Sequence, residues 1–92
     1  MNSVVVTLKI MPETPEVDLE ALRIIILKHI EDFAGAGQTK YEIQPVAFGL
    51  KSLTILFVMD EAIGSTEALE NKITELSGVQ SVECTDVRRA IG

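Results

Sequence analysis

Two hydrophobic periods follow one another along this chain, and their order restricts the fold more than any single residue does. From Val4 to Ile10 every second residue is a large aliphatic (Val4, Val6, Leu8, Ile10), with Val5, Thr7 and Lys9 between them. That period of two marks a strand with one wetter face. Met11 to Pro15 is read as a loop, because two prolines lack amide donors and bias the residues before them. The period then lengthens. Leu19, Leu22, Ile26, Ile30 and Phe33 form one stripe at helical spacing, with Asp18 as its cap, acids around its positive end, and Gly35 or Gly37 to stop it. Ile24 and Leu27 lie off the stripe and fit either a wide helix contact or an exposed patch.

Period two returns at Thr39 to Val46, where Tyr41 and Ile43 alternate with Glu42 and Gln44, and Pro45 argues for a sheet edge or a bulge. Leu53, Ile55, Phe57 and Met59 alternate with Thr54, Leu56 and Val58, apolar on both sides, as expected of a strand inside its sheet. Ser65 or Thr66 can cap a second helix with an inward stripe of Leu69, Ile73 and Leu76, ended by Gly78. The last strand is read over Val79 to Val87, with Val82 and Cys84 on one face and Glu83 and Thr85 on the other. The order strand, helix, strand, strand, helix, strand predicts an α+β, ferredoxin-like βαββαβ fold: a four-stranded antiparallel sheet with two helices on one face. Residues 1–92 are read as a single domain. The fold hosts many unrelated functions, so it does not identify an activity.

Eight Lys and Arg stand against 14 Asp and Glu, a formal charge of −6. A chain of that sign is repelled by phosphate backbones and anionic lipid, so neither nucleic acid nor membrane is expected as a direct partner. One cysteine cannot form an internal disulfide and fits a reducing compartment. With no membrane-length apolar run and no signal-peptide pattern at the start, the expectation is a cytoplasmic protein.

Covalent chemistry lacks its residues. One His and one Cys in different elements make no zinc site, and His29 reads as a helix-flank residue near the core edge. The glycines at 35 and 37 follow a helix instead of opening one, so no phosphate loop is present. Asp60-Glu61 matches no calcium loop, and the would-be open sheet face lacks base-stacking aromatics. No catalytic residue, metal or cofactor is expected.

Two segments stand apart. Pro45-Val46-Ala47-Phe48-Gly49-Leu50-Lys51 joins the second and third strands, and a large aromatic beside glycine is unusual chemistry for a hairpin tip. Two placements fit: Phe48 held outward for a partner on a turn shaped by Gly49, or Phe48 folded back to cap the core. The chain closes Arg88-Arg89-Ala90-Ile91-Gly92, a basic tail.

Pro45 to Lys51, together with Val17-Asp18-Leu19 at the helix opening and Thr85-Asp86-Val87-Arg88-Arg89 at the close, resembles the archaeal elongation factor 1-beta family over essentially the whole chain. The first motif is the most specific. The resemblance implies a translation elongation factor that promotes GDP/GTP exchange on the GTPase elongation factor 1-alpha, and a monomer outside that complex. In eukaryotic members the phenylalanine of the matching motif inserts into a pocket on the GTPase. Phe48 is therefore the implied anchor, with Gly49 beside it and Lys51 as a candidate contact. Those members reach the magnesium site with a lysine near the C-terminus, whereas this chain has none after Asp86. Either Arg88 or Arg89 supplies the cation, or both are solvated or paired with the domain's own acids. The rival reading is a small-molecule-sensing regulatory domain of the same fold, working as an oligomer.

Overall fold

The computed structural model describes residues 2–90; Ile91 and Gly92, which end the basic closing segment, lie outside them, as does Met1. Alternation builds the strands as expected: β1 (Ser3–Pro12), β2 (Thr39–Pro45), β3 (Lys51–Asp60) and β4 (Val79–Arg89) form one antiparallel sheet in the order β2-β3-β1-β4. Helices α1 (Leu19–Ala34) and α2 (Glu67–Thr74) cover one face, giving the ferredoxin-like arrangement. Among the described residues no helix is long and apolar enough to cross a membrane.

Register explains the core. Val4, Val6, Leu8 and Ile10 stand opposite Met59, Phe57, Ile55 and Leu53, and residues opposite each other share a face. All eight are buried beneath Leu19, Leu22, Ile26 and Ile30 of α1 and Leu69 and Ile73 of α2. Phe33 and Leu76, expected in the stripes, are only partly buried at the layer's margin. Asp18 accepts a hydrogen bond from the Ala21 amide (3.1 Å), satisfying one of the free donors at the start of α1. Gly35, at φ 86°, closes α1 by donating to the Glu31 carbonyl (2.8 Å). At α2 the cap is shared: Ser65 Oγ accepts from the Glu67 amide, while Thr66 Oγ1 turns to donate to the Glu70 carboxylate (2.6 Å).

Three expectations change. First, β1 runs on to Pro12, past the predicted loop boundary. Beyond Ile10 it has lost β3 as a neighbour and keeps only β4, and a register shift between Met11 and Pro12 accommodates the proline. Second, β2 is the edge strand that Pro45 argued for, but it is less buried than its alternation suggests: Tyr41 stays substantially exposed, and Arg23 of α1 lies over its ring at 4.1 Å. Third, Arg88 and Arg89 are not a free tail. They are the last residues of β4, paired with Val5 and Val4.

That third change depends on a bulge. Leu8 faces Cys84 while Thr7 faces Asp86, so Thr85 is an extra residue in β4. Strict alternation carried past Thr85 would place Asp86 and Arg88 on the helix side. The bulge reverses the phase, so that Val87 and Arg89 share the helix side with Val6 and Val4, and Asp86 and Arg88 share the open side with Thr7 and Val5.

Candidate partner-binding site

Pro45 and Lys51 are the last pair of the β2–β3 ladder, and the five residues between them make a closed tip. The Val46 amide donates to the Leu50 carbonyl (2.8 Å), and the Leu50 amide donates to the Ala47 carbonyl (3.3 Å) across a single 3-10 turn, Ala47–Gly49. Gly49 has φ 75°, which a glycine adopts without penalty. Phe48 has φ 62° and ψ 33°, the only non-glycine residue with positive φ among those described. An L-residue with a Cβ held there costs about 1–2 kcal/mol.

The Phe48 side chain recovers none of that within the domain. It is 96% exposed, which excludes the folded-back placement. An aromatic ring held in water on a backbone it strains is an arrangement that gains nothing for the isolated fold. Lys51 follows at the start of β3, exposed, and borders a shallow cleft with Pro12, Val17, Leu19 and Ile43. The same end of the sheet is braced by a reciprocal link between two other loops: the Glu13 amide donates to the Gly78 carbonyl (2.9 Å), and the Gly78 amide donates to the Glu13 carboxylate (3.0 Å).

The arginines occupy the other end. Arg88 Nε meets Asp86 Oδ2 at 2.7 Å along the open side of β4. Arg89 Nη2 meets Glu61 Oε1 at 3.4 Å, reaching the turn that follows β3. Both are thus paired with the domain's own acids, as one of the two sequence readings allowed, and both remain largely exposed. Exposed pairs of this kind contribute at most about 1 kcal/mol, so they can be exchanged for a partner's groups.

The sequence-predicted residues therefore fall into two groups. Phe48, Gly49 and Lys51 lie together at one end, and Arg88 and Arg89 lie at the end where β1 begins and β3 finishes. The ten residues of β3 between them span about 30 Å at the rise of an extended strand. No sequence signal indicated the left-handed backbone at Phe48 itself; glycine alone carried that expectation. Neither acid partner was named from the sequence, where Arg88 lay beyond the expected end of the last strand; Asp86 and Arg88 share a face because β4 runs on to Arg89, and Glu61 and Arg89 meet only through the register. Of the two off-stripe residues of α1, Leu27 packs against the core, and Ile24 is exposed beside Ile25. His29 is half-buried on the helix flank, as expected.

Comparison with known proteins gives the family. The EF-1 guanine nucleotide exchange domain matches residues 5–90. An elongation factor 1-beta of Methanothermobacter thermautotrophicus is 45% identical, the match covering 97% of this chain and 98% of that protein. One of Methanobrevibacter smithii is 47% identical over the same shares of the two chains. Among solved structures, a de novo designed protein, Foldit4, superposes with a TM-score of 0.64 over 98% of both chains at 20% identity, a likeness of fold alone. With a matched domain spanning nearly all its length and relatives of this identity, the chain belongs to the elongation factor 1-beta family of guanine nucleotide exchange domains.

Proposed function

We propose that this protein accelerates the exchange of GDP for GTP on the GTPase elongation factor 1-alpha, with Phe48 as the anchor that docks it and the Arg88–Arg89 end directed at the phosphate or magnesium contacts of the nucleotide. The observation that carries this reading is the Phe48 ring, 96% exposed on a backbone with φ 62°. The tip is already in place before any partner arrives, so little ordering entropy opposes docking. Burying such a ring is worth about 1.5–3 kcal/mol, the size of an interface hot spot. Gly49 sets the ring's direction, and Lys51, three residues on, contacts the partner beside it.

Exchange needs more than docking. By linkage, a module that binds the nucleotide-free GTPase more tightly than the GDP-bound form weakens GDP by the same factor, and each 1.4 kcal/mol of that coupling is about tenfold. An anchor far from the nucleotide supplies attachment, while a cationic group at the other end competes for the anionic ligands there. A separation of about 30 Å fits two tasks performed on separate parts of one GTPase surface. Family membership supports this exchange reading over that of a ligand-sensing oligomer.

The test is release of fluorescent GDP from elongation factor 1-alpha of the same organism in excess unlabelled nucleotide. The wild-type protein is expected to speed release, and Phe48→Ala to reduce the effect by on the order of tenfold to a hundredfold, matching the loss of the ring's burial. A rate unchanged by the wild-type protein at every magnesium concentration overturns the proposal.

A further inference from the structure

The two edges of the sheet are not alike. Among the described residues β2 and β4 end the order β2-β3-β1-β4, each with one side of its backbone unpaired. In β4 the Thr85 bulge breaks the even row of donors and acceptors that a further strand needs. β2 pairs with β3 without a shift from Thr39 to Pro45, so its outer row stays regular, and all of its residues except Ile43 are exposed.

The side chains of β2 are arranged symmetrically about Tyr41. Lys40 and Glu42 flank it on the open side, opposite Leu56 and Thr54, while Thr39 and Ile43 stand on the helix side, opposite Phe57 and Leu53. An antiparallel strand of the same sequence centred on Tyr41 therefore sets Lys40 against Glu42 twice and Ile43 against Thr39 twice. Centring it one residue to either side sets Lys40 against Lys40 or Glu42 against Glu42, and a register centred between two residues turns the helix side of one copy to the open side of the other. Charges and a proline on an edge ordinarily guard it against pairing. Here Pro45 lies outside the five residues from Thr39 to Ile43, and the charges permit one register while opposing its neighbours.

The helix above adds apolar surface on the same flank. α1 packs over β3, and its Arg23 reaches out over the Tyr41 ring at 4.1 Å. Leu27, four residues on from Arg23, and Ile24, three before Leu27, thus lie towards the β2 side of α1. Ile24 is 53% exposed and Tyr41 45%. A recess between Leu27, Gly35, Gly37 and Thr39 opens beside them.

We propose that β2 is a self-recognition edge: two copies of this chain join β2 to β2, antiparallel about Tyr41, into one eight-stranded sheet with all four helices on one face. At ordinary strand spacing this brings the two α1 helices within the roughly 8–10 Å of helix packing, and the second copy's Ile43 beside the recess. The two Arg23 side chains near the axis do not meet as bare charges, because each holds its own Glu20 at 3.1 Å. The dimer replaces the monomer that the family resemblance implies, and it goes beyond the exchange reading without resting on it. Because β2 runs in opposite directions in the two copies, the Phe48 tips stand at opposite ends of the joined sheet and both β4 strands at its outer edges, all uncovered.

The experiment is sedimentation velocity from about 1 μM to about 1 mM protein, at an ionic strength of about 0.15 M to screen the charge of −6 on each copy. Wild type is expected to pass from monomer to dimer across the series. Lys40→Glu and Glu42→Lys each set like charges opposite one another, and each is expected to weaken dimerisation at least about tenfold while melting curves show it folded. Mixed in equal amounts, the two variants are expected to form a heterodimer, since every contact between positions 40 and 42 then joins opposite charges; an edge merely disordered by mutation gives none. In a Cys84→Ser background, Tyr41→Cys is expected to give a disulfide-linked dimer on mild oxidation, because residues facing each other at the axis have Cα atoms about 4.5–5.5 Å apart. A wild-type protein that stays monomeric throughout, or a dimer that neither charge reversal weakens, overturns the proposal and leaves the exchange reading standing. Charge reversals that slow GDP release where wild type is monomeric give the edge to the GTPase and overturn it as well. Dimerisation as described, in a protein that leaves GDP release unchanged, removes the exchange reading alone.

Discussion

On the proposed reading, the two ends of the sheet differ in when the energetic cost of recognition is met. At the Phe48 end the cost is stored in the fold: a bulky residue sits at φ 62° with its ring in water and without a partner of its own. At the arginine end nothing is strained, and Arg88 and Arg89 already hold Asp86 and Glu61. On the same reading, docking there first requires those pairs to open. An apolar anchor is best prepared in advance, because its gain comes from leaving water and depends little on direction. A charged contact tolerates an internal stand-in, because exchanging one carboxylate for another anion leaves the balance nearly even.

The sharpest way to break the comparison is Phe48→Gly. It removes the anchor, and exchange is expected to fall by more than about tenfold. The same substitution relieves the left-handed strain and sacrifices no buried surface, so the free protein is expected to gain about 1 kcal/mol, visible as a rise in Tm of about 4–8 °C. A variant that loses both activity and stability would mean that the ring supports the fold. Gly49→Ala probes the same tip from the other side. Nothing lies within 4 Å of the added methyl group, so the expected loss of about 1 kcal/mol in denaturant melts comes from φ 75° alone.

Ionic strength separates the ends more gently. In the Phe48→Ala background the remaining acceleration is expected to fall severalfold as salt rises past a Debye length of about 8 Å, whereas the anchor's contribution is salt-insensitive. An equal salt slope with and without the ring would blur the distinction. Smallest of all, Asp86→Asn is expected to change unfolding free energy by no more than about 0.5 kcal/mol, since the pair it breaks is exposed. A larger loss in chemical denaturation would show the arginine end to be structural.

Much of the fold is legible in the sequence, for reasons that can be traced to residues. Val4 to Ile10 and Leu53 to Met59 carry a period of two, and Leu19 to Ile30 carries a helical one. Each can bury its apolar side in only one kind of element. Asp18 and Gly35 act at their helix ends through bonds to atoms three and four residues away, which sequence spacing captures. The candidate site was partly legible in the same local sense: Phe48 beside Gly49 was out of place for a hairpin tip, and it is exposed.

The sequence by itself therefore determined the order of elements, the faces they bury, their caps and the residues that stand apart, because all of these depend on interactions among near neighbours in the chain. Only the tertiary structure decided that β1 runs to Pro12, that Thr85 bulges and turns Arg88 and Arg89 to opposite sides, that Glu61 meets Arg89 twenty-eight positions away, and that Phe48 and the arginines lie at opposite ends of the sheet. Those facts follow from the registers in which β3 and β4 pair with β1. Register is set by burying all the apolar rows together, a condition that no single stretch of the chain can express.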